Sequence, residues 1–110
     1  MMVKLAGPYE VFELSDKQSA ELVITGYTKG EIEIHPRYAG APASKVVTAM
    51  RVFVDPATKP TGPAWWDLTS QTLIAQLEPF LAGVAKAPRR VKLTAHGVAP
   101  SKRYSVELVP

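Results

Sequence analysis

The sequence predicts a small, mainly β domain with a single helix. Its 110 residues are enough for one domain with its own core and too few for two. Several segments alternate apolar and polar residues with a period of two, as strands with one buried face do. Only residues 63–83 repeat their apolar side chains at intervals of three and four, the spacing of a helix that lies on a sheet. We therefore expect one domain over residues 1–110, with a β-β-β-α-β-β core over residues 19–109.

The first 18 residues allow two interpretations. Gly7 and Pro8 interrupt the start of the chain. The apolar side chains that follow, of which Val11 and Phe12 are adjacent, suit either an edge strand or a short turn. We expect residues 1–18 to form an N-terminal extension or an edge strand.

A hairpin is predicted next. Residues 19–25 alternate, and so do residues 31–35, with the sequence Glu-Ile-Glu-Ile-His. Residues 27–30, which end in Gly30, have the composition of a turn between two strands. The alternation places five apolar side chains on the buried face: Ala20, Leu22, Ile24, Ile32 and Ile34.

A loop and a third strand follow. Pro36 ends the hairpin, and residues 36–44 combine proline, glycine and small residues, which is typical of a loop. The strand over residues 45–54 is largely apolar on both faces, a pattern typical of a central strand. Its outward face carries Arg51 and Phe53. Residues 55–64, rich in proline and glycine, connect this strand to the helix.

The helix is expected over residues 68–78. The carboxylate of Asp67 suits an N-cap, because it can accept hydrogen bonds from the free amides of the first turn. Pro79 removes an amide and crowds the preceding turn, so a kink or short extra turn to Leu81 should follow. Gly83 is expected to end the segment.

Two further strands complete the predicted sheet, over residues 90–96 and 102–109, with a turn over residues 97–101. The predicted core gathers apolar side chains from all of these elements: Leu22, Ile24, Ile32, Ile34, Val52, Leu73, Leu77, Val91, Leu93, Val106 and Leu108.

Composition excludes several classes of protein chemistry. Without cysteine the chain has no disulfide, thiolate nucleophile or cysteine zinc site. His35 and His96, its two histidines, have no Asp or Glu at ligand-like spacing, and no catalytic motif is present. We expect no enzyme activity, metal or organic cofactor. No apolar run reaches the length of a membrane span and the N-terminus lacks a signal-peptide pattern, so a soluble, cytoplasmic protein is expected.

Positive charge is concentrated near the C-terminus. The net charge is +3. Residues 85–110 carry six basic side chains against Glu107 alone, a net of +5, whereas the remaining residues carry −2. Such a distribution favours a polyanionic partner. The alternative is a solvated basic face that serves solubility.

Three strands, one helix and two closing strands form an order that resembles the OB-fold, a small five-stranded barrel with its helix between the third and fourth strands. The resemblance covers residues 19–109 and is one of topology, without a diagnostic motif. An open α+β sheet with one helix packed on one face fits the same order. The resemblance implies a ligand face on the second and third strands, with the loops that follow the first and fourth.

The resemblance and the charge together predict a non-catalytic module that binds single-stranded DNA or RNA with low sequence specificity. Basic groups would contact phosphates and aromatic rings would stack on bases. The candidate residues are Arg37, Tyr38, Arg51, Phe53, Trp66, Arg90, Lys92, Lys102 and Arg103.

Three points weigh on this hypothesis. Trp65 and Trp66 should point in different directions. Either Trp66 is an exposed stacking ring, or both tryptophans are core residues. Glu31 and Glu33 would repel phosphates if they shared the ligand face. The competing hypothesis is an assembly module that pairs with a second copy through the two-faced third strand or an edge strand.

Overall fold

The computed structural model describes residues 3–35, 39–84, 86–98 and 102–109. In this part of the chain five antiparallel strands form one sheet in the order β3-β2-β1-β4-β5. The strands are β1 (Ser19–Ile34), β2 (Lys45–Val54), β3 (Trp65–Leu68), β4 (Arg89–His96) and β5 (Arg103–Val109), and the α-helix α1 (Gln71–Leu77) lies between β3 and β4.

The mainly β class with one helix is confirmed. The strand order and the position of α1 are compatible with an OB-like fold. Within the described residues β3 and β5 are the two edges of the sheet, and no strand pairing joins them. The sheet is therefore open, and the predicted barrel closure is absent from this part of the chain.

One long strand replaces the predicted hairpin, so that prediction is wrong. β1 pairs with β4 through residues 19–24 and with β2 through residues 24–34. A bulge between Ile24 and Gly26 shifts the register where β1 passes from one partner to the other. β1 therefore belongs to both halves of the sheet.

Gly30 is needed for contact and not for a turn. A Cβ at this position would lie 2.5 Å from the carbonyl oxygen of Val3 and 2.6 Å from Cγ of Leu5. The N-terminal segment can approach β1 this closely only because Gly30 has no side chain.

The helix begins later than predicted, and Asp67 is not its N-cap. Ser70 fills that position, and its hydroxyl accepts a hydrogen bond from the amide of Leu73. Asp67 instead lies in the short strand β3. The extra turn predicted at Pro79 is present as a 3₁₀ segment, Glu78–Leu81, and Gly83 follows with a φ of 74°.

The core lies between one face of the sheet and α1. Leu22, Ile24, Val52, Leu73, Leu77, Val91 and Leu93 are buried in it as predicted. Val106 packs against the core. Ile32 is buried and Ile34 half-buried, but both lie on the opposite face of the sheet from Ile24, because the bulge in β1 reverses the alternation. Leu108 is an error of the prediction, since 49% of it is exposed at the edge strand β5.

The N-terminal segment, residues 3–14, runs across the sheet, and we call it the strap. It forms a bridge to β1 at Glu31, where the amide of Leu5 donates to the Glu31 carbonyl. It then forms a second bridge at Asp67 on the outer edge of β3. Phe12 and Leu14 are buried in the core. The described part of this segment adds single bridges to two strand edges.

Candidate nucleic-acid interface

The face of the sheet opposite the core carries Phe53. In β2 the side chains of Met50, Val52 and Val54 are buried on the core side. Phe53 alternates with them and pairs with Gly26 of β1 and Trp65 of β3. Cross-strand partners share a face of the sheet, so Phe53 and Trp65 lie together on its outer side.

These two rings form what we call the aromatic patch. Their centroids are 6.4 Å apart with an interplanar angle of 75°, an edge-to-face contact. Phe53 is 37% exposed and Trp65 is half-buried. The indole Nε1 of Trp65 donates to the Pro8 carbonyl at 3.3 Å, and the Arg51 guanidinium lies 4.7 Å from its ring centroid. The patch is therefore held in place and still offers ring surface to solvent.

Arg51 lies on the outer side of the sheet with Phe53, as predicted, but its side chain is buried there and does not face solvent. It is 6% exposed, and its Nε donates to Oδ1 of Asp67 at 2.7 Å. Its Nη2 donates to Oδ2 of Asp67 at 3.2 Å, which completes a two-point pair. Asp67 is fully buried and also accepts the amide of Glu10 at 2.8 Å. The guanidinium is thus occupied inside the protein and supports Trp65 by a cation–π contact.

The strap covers the Arg51 end of the outer face. Nη2 of Arg51 reaches the Pro8 carbonyl at 3.5 Å. The Glu10 carbonyl accepts a hydrogen bond from the amide of Asp67 in β3, and its side chain accepts one from Nζ of Lys59 at 2.8 Å. The strap leaves the Phe53 end of this face uncovered, and Phe53 is exposed there.

Arg90 and Lys92 lie on the same outer side of the sheet as Phe53. Leu22 and Ile24 point into the core, so Val23, which pairs with Arg90, points outward. Arg90 and Phe53 are two strands apart, roughly 10 Å across the sheet. They are also offset along β1, since Arg90 pairs with Val23 and Phe53 with Gly26. Their positive charge is partly offset, because Arg90 lies 3.5 Å from a Glu21 carboxylate and Lys92 is paired in register between Glu21 and Glu107.

The remaining sequence candidates differ in their surroundings. Arg103 is exposed near the start of β5. Lys102 is half-buried and donates Nζ to the Leu14 carbonyl at 2.6 Å, so it fastens the strap. Arg37 and Tyr38 lie outside the described residues.

Trp66 lies on the core side, which agrees with the alternative that it is a core residue and not with an exposed stacking ring. Its ring packs edge-on against Phe12 at 5.3 Å, and Nζ of Lys59 lies 4.6 Å from its centroid. Its indole nitrogen is buried without a hydrogen-bond partner among the described residues. The neighbouring Trp65, which the sequence did not single out, is the tryptophan on the outer face.

The glutamates that counted against phosphate binding are not on this face. Glu31 pairs with Thr48 and Glu33 with Val46, which places both on the side of the sheet opposite Phe53. A cleft of about 670 Å³ lies near them and is lined in part by Glu13, Glu33 and His35. Its acidic lining makes it a poor site for a polyanion.

A smaller groove of about 350 Å³ adjoins the aromatic patch. It is lined by Gly26, Tyr27, Phe53 and residues 81–84. Tyr27 and Phe53 are both more than a third exposed, so two aromatic rings border the groove. The exposed ring of Phe53 on the outer face therefore adjoins a groove that a ligand could enter.

Neither histidine gathers a ligand set. His35 lies 3.9 Å from Glu33, and Nε2 of His96 is 3.0 Å from the Ser105 hydroxyl. Across the described residues no three His, Asp or Glu side chains are grouped to hold a metal ion. No helix in the same part of the chain has the length and apolar character needed to span a membrane.

Comparison of the chain with protein-family models, with curated proteins and with solved structures found no match. The fold and the aromatic patch are therefore the basis for a functional assignment.

Proposed function

We propose that this chain is an OB-like module that binds single-stranded DNA or RNA on the aromatic patch, with little sequence preference. The observation that carries the proposal is the solvent-accessible Phe53–Trp65 pair on the outer face of β2–β3. In OB-folds this is the face that binds oligonucleotides. Bases of any sequence stack on aromatic rings, which accounts for the low specificity.

Charge on the same side of the sheet supports the proposal. Arg90 and Arg103 are exposed on the outer side, and the carboxylates of Glu31 and Glu33 are on the other. Glu21 and Glu107 reduce the positive potential next to Lys92. We therefore assign affinity mainly to stacking, with a small number of phosphate contacts from the two exposed arginines.

Replacing Phe53 by alanine is expected to weaken binding of a fluorescent oligo-dT by ~1–3 kcal/mol at every salt concentration, because a stacked base loses its platform. Fluorescence anisotropy at two salt concentrations measures this. Val46→Ala is the matched control: Val46 is an exposed apolar residue of the same strand on the opposite face, and its replacement should leave affinity unchanged.

Replacing Arg90 and Arg103 by glutamine is expected to flatten the salt dependence. Each lost phosphate contact should reduce the slope of log K against log salt by about 0.7 for a single strand. The proposal fails if the wild-type protein binds no oligo-dT at low salt, or if it binds duplex more tightly than single strand.

A further inference from the structure

We propose that two copies of this chain associate through β5, which pairs antiparallel with its own copy about a twofold axis at Ser105. β5 is one of the two sheet edges in the described residues. The other edge, β3, is bridged by the strap at Asp67. This inference rests on the edge of β5 and not on the aromatic patch, and it shares one residue, Arg103, with the proposed phosphate contacts.

The hydrogen-bonding direction of β5 follows from its neighbour β4. Ala95 of β4 exchanges backbone hydrogen bonds with residues 17 and 18, on the side away from β5. Ala95 and its partner Tyr104 therefore form a non-hydrogen-bonded pair. The amide and carbonyl of Tyr104 point to the outer edge, and the alternation of the strand gives Val106 the same direction.

A second strand can use these groups. With Ser105 on the axis, Tyr104 of one copy lies opposite Val106 of the other, and each such pair can exchange N–H···O hydrogen bonds. At present Nε2 of Gln76 in α1 donates to the Tyr104 carbonyl at 2.9 Å. Pairing exchanges this side-chain cap for backbone hydrogen bonds, and the exposed Gln76 can turn aside.

Charge complementarity selects the second copy as the partner. In the same register Arg103 of each copy lies directly opposite Glu107 of the other, on the outer face. Both side chains are exposed. These pairs are non-hydrogen-bonded pairs, in which the side chains approach most closely. Opposite charges at such positions stabilise strand pairing, and like charges destabilise it. The strand is thus complementary to itself and meets the requirement of a twofold interface.

Sedimentation velocity over a range of protein concentrations at low ionic strength tests the inference. We expect wild-type protein to show a concentration-dependent monomer–dimer equilibrium. Glu107→Arg or Arg103→Glu alone should weaken association by roughly tenfold, because each places like charges opposite one another at two positions. The double variant, with both charges exchanged, should restore the wild-type association.

Glu21→Arg is the matched control, since Glu21 is an exposed acidic residue of the same outer face that lies on β1 and not at the edge. It should associate as the wild type does. Thermal melts establish that each variant is folded. Monomeric wild-type protein at all concentrations, or a double variant no better than the single ones, would overturn the inference.

Discussion

Replacing Asp67 by alanine is expected to lower the free energy of unfolding by about 3–5 kcal/mol, because a buried guanidinium is then left without its counter-charge. Asp67 is fully buried and accepts both Nε and Nη2 of Arg51. The amide of Glu10 loses its acceptor as well, so the strap should loosen together with the pair. Urea denaturation followed by circular dichroism gives the difference.

The double variant Arg51→Met/Asp67→Leu is the informative control. It removes both charges and replaces them with apolar side chains of similar length, a change that is often neutral for buried ion pairs. If Arg51 makes no phosphate contact, this variant should also keep the wild-type slope of log K against log salt for oligo-dT. A loss below about 1 kcal/mol for Asp67→Ala would mean that the pair is solvated and that Arg51 is available to ligands.

Replacing Leu77 by alanine is expected to lower the free energy of unfolding by about 2–5 kcal/mol, through lost burial and the cavity left behind. Leu77 is completely buried where α1 packs on the sheet. Leu108→Ala removes the same atoms from a half-exposed site and should change stability by less than ~1 kcal/mol. Equal effects of the two substitutions in urea titrations would show that α1 does not pack as described.

The sequence predicted those elements whose residues alternate without interruption. β2 has the predicted bounds, and β4 and β5 differ from their predictions by one residue at the N-terminal end. The hairpin was wrong because residues 27–30, which end in Gly30, were interpreted as a turn. In the structure Gly30 lies beneath the strap, and Gly26, just before this segment, adjoins the bulge. Neither role is visible in a local pattern, since each depends on a distant segment.

The error at Asp67 has a related cause. An aspartate before an apolar helical series is typical of an N-cap, and Ser70, three residues later, carries the same signal. The choice between Asp67 and Ser70 as N-cap depends on the register between β2 and β3, which places Asp67 opposite Arg51. The same register buries the arginine that the sequence assigned to phosphate binding. Four residues of strand between a proline-rich connector and a helix were too few to be recognised as β3.

For the candidate site, the sequence identified Phe53 but chose the wrong tryptophan. Consecutive tryptophans in an extended segment point to opposite faces, and the sequence does not indicate which one faces the core. Pairing of Trp65 with Phe53 and of Trp66 with Val52 settles this. The sequence also overestimated the positive potential of the C-terminal strands, because Glu21 from β1 lies beside Lys92 and offsets its charge.

Intrinsic tryptophan fluorescence tests most directly whether single-stranded nucleic acid binds at the aromatic patch. Trp65 and Trp66 are the two tryptophans of the chain and lie on opposite faces of β3. Titration with oligo-dT should quench the emission of the wild-type protein and of Trp66→Phe, whose remaining indole is beside Phe53. Trp65→Phe, which keeps only the core-side indole, should show little quenching. Quenching that persists in Trp65→Phe and disappears in Trp66→Phe, or an absence of quenching in all three proteins, would contradict the account.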